Sequence, residues 1–249
     1  MKKIEMEVLS NKQIALDTYE MTLKNKYVCE EAKPGQFLHI SIPNFTLRRP
    51  ISIASVDQAN EHVTIIYKIF GTGTDALTTI KVGTMLDVIG PNGSSYPVDH
   101  EVKEALLVGG GVGVPPLYFQ AKALHERGVK VHAILGYQTA EAVFYEEKFK
   151  EVAHTYIVTN DGTKGHQGLV TDLIPEVESF DAYYSCGPLP MLKAVKNALS
   201  GHEGYLSFEE RMGCGVGTCF ACVIPMKNEK KYGKICQDGP VFRAKEVIL

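Results

Sequence analysis

Cys214, Cys219 and Cys222 are spaced C-x4-C-x2-C, and after thirteen intervening residues Cys236 follows. Thiolates at this spacing hold a [2Fe–2S] cluster of the plant type. The loop reads Met212-Gly213-Cys214-Gly215-Val216-Gly217-Thr218-Cys219-Phe220-Ala221-Cys222. Its glycines suit that chemistry, because a chain wrapped round a cluster needs uncommon backbone angles and amides free to point at sulfur. Such a cluster passes one electron at a time, so the chain is expected to move electrons. Zinc sites more often show two separated C-x2-C pairs, and a non-redox zinc-binding module is the alternative from another class. Disulfides need an oxidising compartment. The start, Met1-Lys2-Lys3-Ile4-Glu5-Met6-Glu7, has no apolar signal region, so a reducing cytoplasm is expected.

A second set of residues suggests two-electron chemistry. Gly109-Gly110-Gly111-Val112-Gly113 follows an apolar run, Ala105–Val108, and precedes a helical pattern. Glycines there let the backbone approach a pyrophosphate at a helix N-terminus; the other reading is a tight strand-to-helix connection. Cys186-Gly187-Pro188 ends a later strand, where a ligand of a parallel sheet would lie, so Cys186 is a candidate beside a nicotinamide or else a buried structural thiol. In the first third, Arg49 and Ser52 of Arg48-Arg49-Pro50-Ile51-Ser52 could meet a flavin pyrophosphate. The Phe70-Gly71-Thr72-Gly73-Thr74 stretch offers amides and a hydroxyl to the same phosphate, or is a hairpin loop. Nicotinamide exchanges electron pairs and the cluster single electrons, so a flavin between them is required. Glu209, Glu210 and Arg211 orient the nicotinamide, support the cluster or form a solvated charge run. Lys24, Lys26, His39 and His125 have no ligand spacing and read as surface or core residues; Cys29 reads as inert.

The elements that must position these groups fall into three blocks. Residues 1–100 show short strand-like runs at 14–16, 36–42, 51–54 and 62–69, punctuated by Pro, Gly and Asn, as in an antiparallel barrel. Residues 101–204 alternate strands at 105–108, 131–135, 155–158 and 182–185 with helices at 116–127, 146–150, 169–174 and 189–199, and a last strand at 205–208, predicting a doubly wound parallel sheet. Residues 205–249 form a small cluster-binding module. The 249 residues are 45% hydrophobic and 22% charged with a net charge of −3, no long basic block and no long apolar span. Nucleic acid and membrane are therefore not expected partners.

Together these motifs resemble the ferredoxin–NADP reductase superfamily and, within it, the electron-transfer subunits of class 1B dihydroorotate dehydrogenase. The resemblance rests on Arg48–Ser52, Gly73-Thr74, the Gly109–Gly113 turn, Cys186-Gly187-Pro188, Glu209–Cys214 and the tail Lys234–Phe242. It implies FAD contacts at Arg49, Pro50, Ile51, Ser52, Ile66, Tyr67, Lys68, Gly73 and Thr74. It also implies the four C-terminal cysteines as cluster ligands; the residues themselves add Gly109, Gly110, Gly111 and Gly113 as candidates for NAD, with Cys186 and Glu210 near the reacting rings. The superfamily's usual Tyr, two places after the Arg that Arg49 matches, is Ile51 here. An FMN-containing catalytic partner is implied, in a heterotetramer of two subunits of each kind, oxidising dihydroorotate for pyrimidine synthesis. The rival is a related reductase subunit serving ferredoxin, a hydrogenase or a sulfur-reducing complex. After the strand at 131–135, Gly136–Glu141 carries no cation for a 2′-phosphate and Glu141 would repel one, favouring NAD over NADP. Val216 and Phe220 would line a docking surface or pack around the cluster.

Overall fold

Alternation of inward apolar and outward polar residues builds the first part of the chain. A computed structural model describes residues 1–98, 101–227 and 229–249. Its first elements are β1 (Lys2–Ala15), β2 (Thr18–Lys24), α1 (Lys26–Glu31), β3 (Phe37–Ile40), β4 (Arg49–Asp57), β5 (His62–Lys68), α2 (Thr72–Thr78) and β6 (Met85–Asn92). The six strands close an antiparallel barrel in the order β1-β2-β5-β4-β3-β6. The strand runs read from the sequence cover β3, β4 and β5 and only the end of β1. β2, β6 and most of β1 carry charged residues between inward Met6, Val8, Met21, Leu23, Leu86 and Val88, all buried in one core, and this interleaving dilutes their apolar signal. The stretch that reads as a phosphate or hairpin loop ends inside a helix instead: Thr72–Thr78 winds into α2, with Gly71 at φ 76° as its N-cap.

The second part comprises β7 (Glu104–Gly110), α3 (Val114–His125), β8 (Lys130–Tyr137), α4 (Glu146–Lys150), β9 (His154–Thr159), β10 (His166–Gln167), β11 (Ala182–Cys186), α5 (Leu189–Ala198) and β12 (Glu203–Ser207). Pro115 and Pro116 sit in the first turn of α3, where a missing N–H is harmless, so the helix starts earlier than 116. The helix expected at 169–174 is instead 3-10 turns over Val170–Glu176, interrupted by Pro175. β13 (Val223–Pro225) and β14 (Tyr232–Lys234) form a hairpin, and β15 (Val241–Arg243) follows.

The sheet order is β10-β9-β8-β7-β11-β12-β15, parallel except for β15, which pairs antiparallel with β12. β8 and β9 lie on one side of β7, and β11 and β12 on the other, so the topological switch falls between β7 and β11. Alternate residues of β7 serve the two faces. Ala105 and Leu107 pack with α3 and with Ala54 and Ile66 of the barrel; Leu106 and Val108 pack with α5 and with the cluster segment. The expected boundary after residue 100 falls beside Asp99 and His100, which lie outside the described residues. The expected start of the cluster module at 205 lies inside β12, and its tail returns to the sheet as β15. Among the described residues no helix is long and apolar enough to cross a membrane.

Candidate functional site

The C-terminal loop turns backbone amides onto sulfur. Cys214 Sγ accepts from the amides of Val216 (3.4 Å), Thr218 (3.3 Å) and Cys219 (3.4 Å). Cys219 Sγ accepts from the Cys214 amide (3.3 Å), Cys236 Sγ from Gly217 (3.2 Å) and Cys222 Sγ from Cys236 (3.5 Å). Gly215 (φ 69°) and Gly217 (φ 85°) occupy the left-handed region that lets the loop present these N–H groups. Burial would raise the Cys214 thiol, but the Thr218 hydroxyl and the amides of Val216, Cys219 and Thr218 bring it down to about 5. Cys236, buried and beside Cys222, is pushed up to about 12, a thiol that a metal centre would ionise at neutral pH. Among the described residues no three His, Cys, Asp or Glu side chains converge around a single-ion site. The four thiols instead share one shell of amides, the donor arrangement that suits cluster thiolates.

Next to this loop lies a cleft of about 660 Å³ on the outer side of β4 and β5. Arg49, Pro50, Ile51, Ser52, Ile66, Tyr67, Lys68 and Thr74 line it, as the resemblance implies. Gly73 does not, but a Cβ there would fall 2.2 Å from Arg49 Nε, so its bareness lets the guanidinium lie across the start of α2. The Thr74 hydroxyl accepts from the Phe70 amide (2.6 Å) and fixes the turn into that helix. The Tyr67 ring stacks on Tyr19 within the barrel, its hydroxyl donating to Asn11 Oδ1 (2.8 Å). The opposite wall is Ser207–Met212, the segment that runs from β12 into the cluster loop. Cys214 follows Met212 by two residues, a span of at most about 7 Å.

A second cleft, of about 590 Å³, opens at the carboxyl ends of β7, β8 and β11, where ligands of open parallel sheets bind. Gly110, Gly111, Gly136 and Gly187 face it. Gly109 and Gly113 do not. A Cβ on Gly109 would press on Leu117 and Val114, and one on Gly113 would lie 2.1 Å from the Cys186 carbonyl oxygen, so both serve close packing of the turn. The Cys186 thiol is in the core behind the turn and lines neither cleft; burial pushes it well above the ordinary thiol range.

Lys68, Phe70, Val112 and Glu209 line both clefts. Glu210 lines only the first. Glu209 opens to cleft water but is surrounded by protein, which pushes its carboxyl up to about 7. Phe70 and Val112 lie within the two glycine-containing stretches, but the sequence assigns their side chains no role; that role follows from adjacency to the Gly71 and Gly111 turns. His39 is the other residue that spacing did not reveal. Its imidazole is fully buried, and among the described residues neither ring nitrogen has a partner. Leaving a buried donor unmade costs about 1–3 kcal/mol.

Comparisons with known proteins agree with this layout. Residues 209–248 match the iron-sulfur cluster binding domain of dihydroorotate dehydrogenase B, and residues 107–197 an oxidoreductase NAD-binding domain. The dihydroorotate dehydrogenase B (NAD(+)) electron transfer subunit of Fusobacterium nucleatum is 49% identical, with all of both chains covered. The subunit of that name from Lysinibacillus sphaericus is 49% identical over 98% of each chain. A solved NADH-dependent reduced ferredoxin-NADP oxidoreductase superposes with a TM-score of 0.89 at 31% identity, covering 98% of this chain and 89% of that one. Phthalate dioxygenase reductase, at 17% identity and a TM-score of 0.66, shares the fold. The chain, with its cluster loop joined to two confluent clefts, belongs to the family of dihydroorotate dehydrogenase B (NAD(+)) electron transfer subunits.

Proposed function

We propose that the chain carries electrons from an FMN-containing dihydroorotate dehydrogenase subunit through a [2Fe–2S] cluster and FAD to NAD+. The observation that carries this reading is the common wall: Lys68, Phe70, Val112 and Glu209 bound both clefts, and the segment leaving that wall reaches Cys214 five residues after Glu209. Bound FAD would exchange hydride with nicotinamide and single electrons with the cluster. Cys214, Cys219, Cys222 and Cys236 hold the cluster. Arg49 and the first turn of α2 receive the flavin pyrophosphate, and Pro50, Ile51, Ser52, Ile66, Tyr67 and Lys68 border the rest of the flavin. Gly110 and Gly111 approach the NAD pyrophosphate, while Gly109 and Gly113 keep the turn close-packed. Glu209 holds or releases a proton where the two clefts join; Glu210 sits on the flavin side.

NAD is favoured over NADP. Among the residues lining the second cleft Lys68 is the only Lys or Arg, and it stands at the flavin end, away from the Tyr137-Gln138 end of β8. Comparable catalytic efficiency with NADPH would refute this preference. Val216 and Phe220 are exposed beside the cluster loop and suit docking of the catalytic subunit, in an assembly of two subunits of each kind. The likeness to the ferredoxin-NADP oxidoreductase keeps a ferredoxin-like acceptor as the rival. Anaerobic mixing of this chain with the FMN subunit, dihydroorotate and NAD+ separates them: NADH should form only when both chains are present. A flavin and cluster that NADH reduces, without coupled turnover, would leave the wire intact and point to another partner.

A further inference from the structure

We propose that His39 is a positioning residue for the cluster: its ring N–H serves as a donor to the cluster held by the Cys214–Cys222 loop and raises its reduction potential. Three observations converge. First, β3 alternates. Leu38 and Ile40 point into the barrel core, whereas Phe37 packs outside it with Cys222, Cys236 and Phe242 and also borders the flavin cleft. His39, two residues on, shares that outer side.

Second, the imidazole rests on the cluster loop itself. A Cβ at Gly215 would fall 2.2 Å from His39 Nδ1 and 2.6 Å from Cε1, so the residue after Cys214 is bare where the ring lies, and its φ of 69° suits glycine independently. The amide of Val216, the next residue, donates to Cys214 Sγ. Third, both ring nitrogens are buried without a partner among the described residues. A neutral imidazole always carries one N–H. Burial, followed by the neighbouring Arg48 charge, keeps the ring neutral by bringing it down to about 4. Its strand is fixed from behind, because Arg48 donates to the His39 carbonyl (3.3 Å) and to the Asp87 carbonyl (2.8 Å). An enclosed donor set against a loop of sulfur ligands, two residues from Phe37 at the wall of the flavin cleft, is placed to act on the electron carrier. Hydrogen bonds to cluster sulfur stabilise the more negative, reduced state and so raise the potential.

This inference rests on the cluster reading, and the parent protein tests that reading separately: full-length chain purified anaerobically must contain iron and inorganic sulfide. Given that, EPR-monitored redox titration of the parent, His39→Leu and His39→Gln is the test. The expected result is a lower cluster potential in H39L and a potential near the parent's in H39Q, which keeps an N–H. An unchanged potential in H39L, or equal lowering in both variants, would overturn the proposal and leave His39 a packing residue. Should H39L not retain its cluster, pulsed EPR of the reduced parent with histidine labelled by heavy nitrogen decides. A histidine nitrogen coupling to the cluster is expected, and its absence overturns the proposal.

Discussion

The flavin cleft carries Arg48, Arg49, Lys68 and Arg211 on its walls, whereas the nicotinamide cleft has Lys68 alone among Lys and Arg, and glycine backbone where the first has side chains. Both are to hold a pyrophosphate. Charge-assisted contacts suit an occupant that stays, since guanidinium bonds to phosphate are strong and geometrically fixed. Backbone approach and apolar surface suit an occupant that must leave on every turnover. In the proposed reading the cluster loop goes further still, binding iron through four thiolates under six amide donors. Retention thus weakens from cluster to flavin to nicotinamide, and each step can be tested by removing its characteristic group.

The largest effect is expected at the cluster. Cys214→Ser removes a ligand whose sulfur gathers three amides. Coupled NADH formation with the catalytic partner should fall to background, while NADH still bleaches the flavin absorbance. Flavin that NADH no longer reduces would show the two functions to be less separable than the common wall implies. Arg49→Ala comes second. Loss of a charged, bidentate contact is worth about 1.5–3 kcal/mol, so FAD affinity should drop roughly tenfold to a hundredfold, measured by equilibrium dialysis of the flavin. Arg49→Lys should recover little of it, because an ammonium cannot reproduce the fork across Gly73.

Gly113→Ala tests the weaker nicotinamide side. Its Cβ would meet the Cys186 backbone carbonyl oxygen at 2.1 Å, an atom that cannot swing aside, so the turn must shift. The KM for NADH should rise about tenfold, with stability lower by about 1–3 kcal/mol in urea unfolding. A normal KM with lowered stability would mean that the Gly109–Gly113 turn packs the fold without shaping the cleft.

How much of this was legible beforehand follows from the range of each signal. The cysteine spacing is local and chemically restrictive, and all four thiols lie in one amide shell. The alternation of strands and helices after residue 103 is likewise local and gives the parallel sheet. The barrel was only half visible because Glu5, Glu7 and Glu20 interrupt its strands, and Glu20 is buried for a reason no local pattern holds: it accepts from Tyr145 (2.6 Å) and Lys148 (3.1 Å), both more than a hundred residues away. β15 was invisible because three residues after a Gly-Pro turn become a strand only against the edge of β12. The same holds for the site. Arg49 and Lys68 sit in recognisable segments, while His39, Phe70 and Glu209 acquire their roles from surfaces that the fold brings together.

Glu209 yields the smallest expected effect and the sharpest test of the junction. Protein packed around the cleft mouth raises its carboxyl from an ordinary 4.5 to about 7. The folded chain therefore holds this proton more tightly than the unfolded one, and the group's contribution to stability declines as pH rises between those values. Glu209→Gln should remove that slope, seen as a flatter dependence of the urea midpoint on pH. On catalysis the variant mimics the protonated acid. At pH values well below 7 its NADH-to-acceptor rate should match the parent's. Above 7 the parent carries a carboxylate where the cationic ring of NAD+ would lie, and the variant should bind NAD+ about fivefold more weakly, the factor that ~1 kcal/mol of a solvent-screened charge interaction supplies. Parallel pH profiles in the two proteins would take Glu209 out of the junction and leave Lys68, Phe70 and Val112 as the wall that the two occupants share.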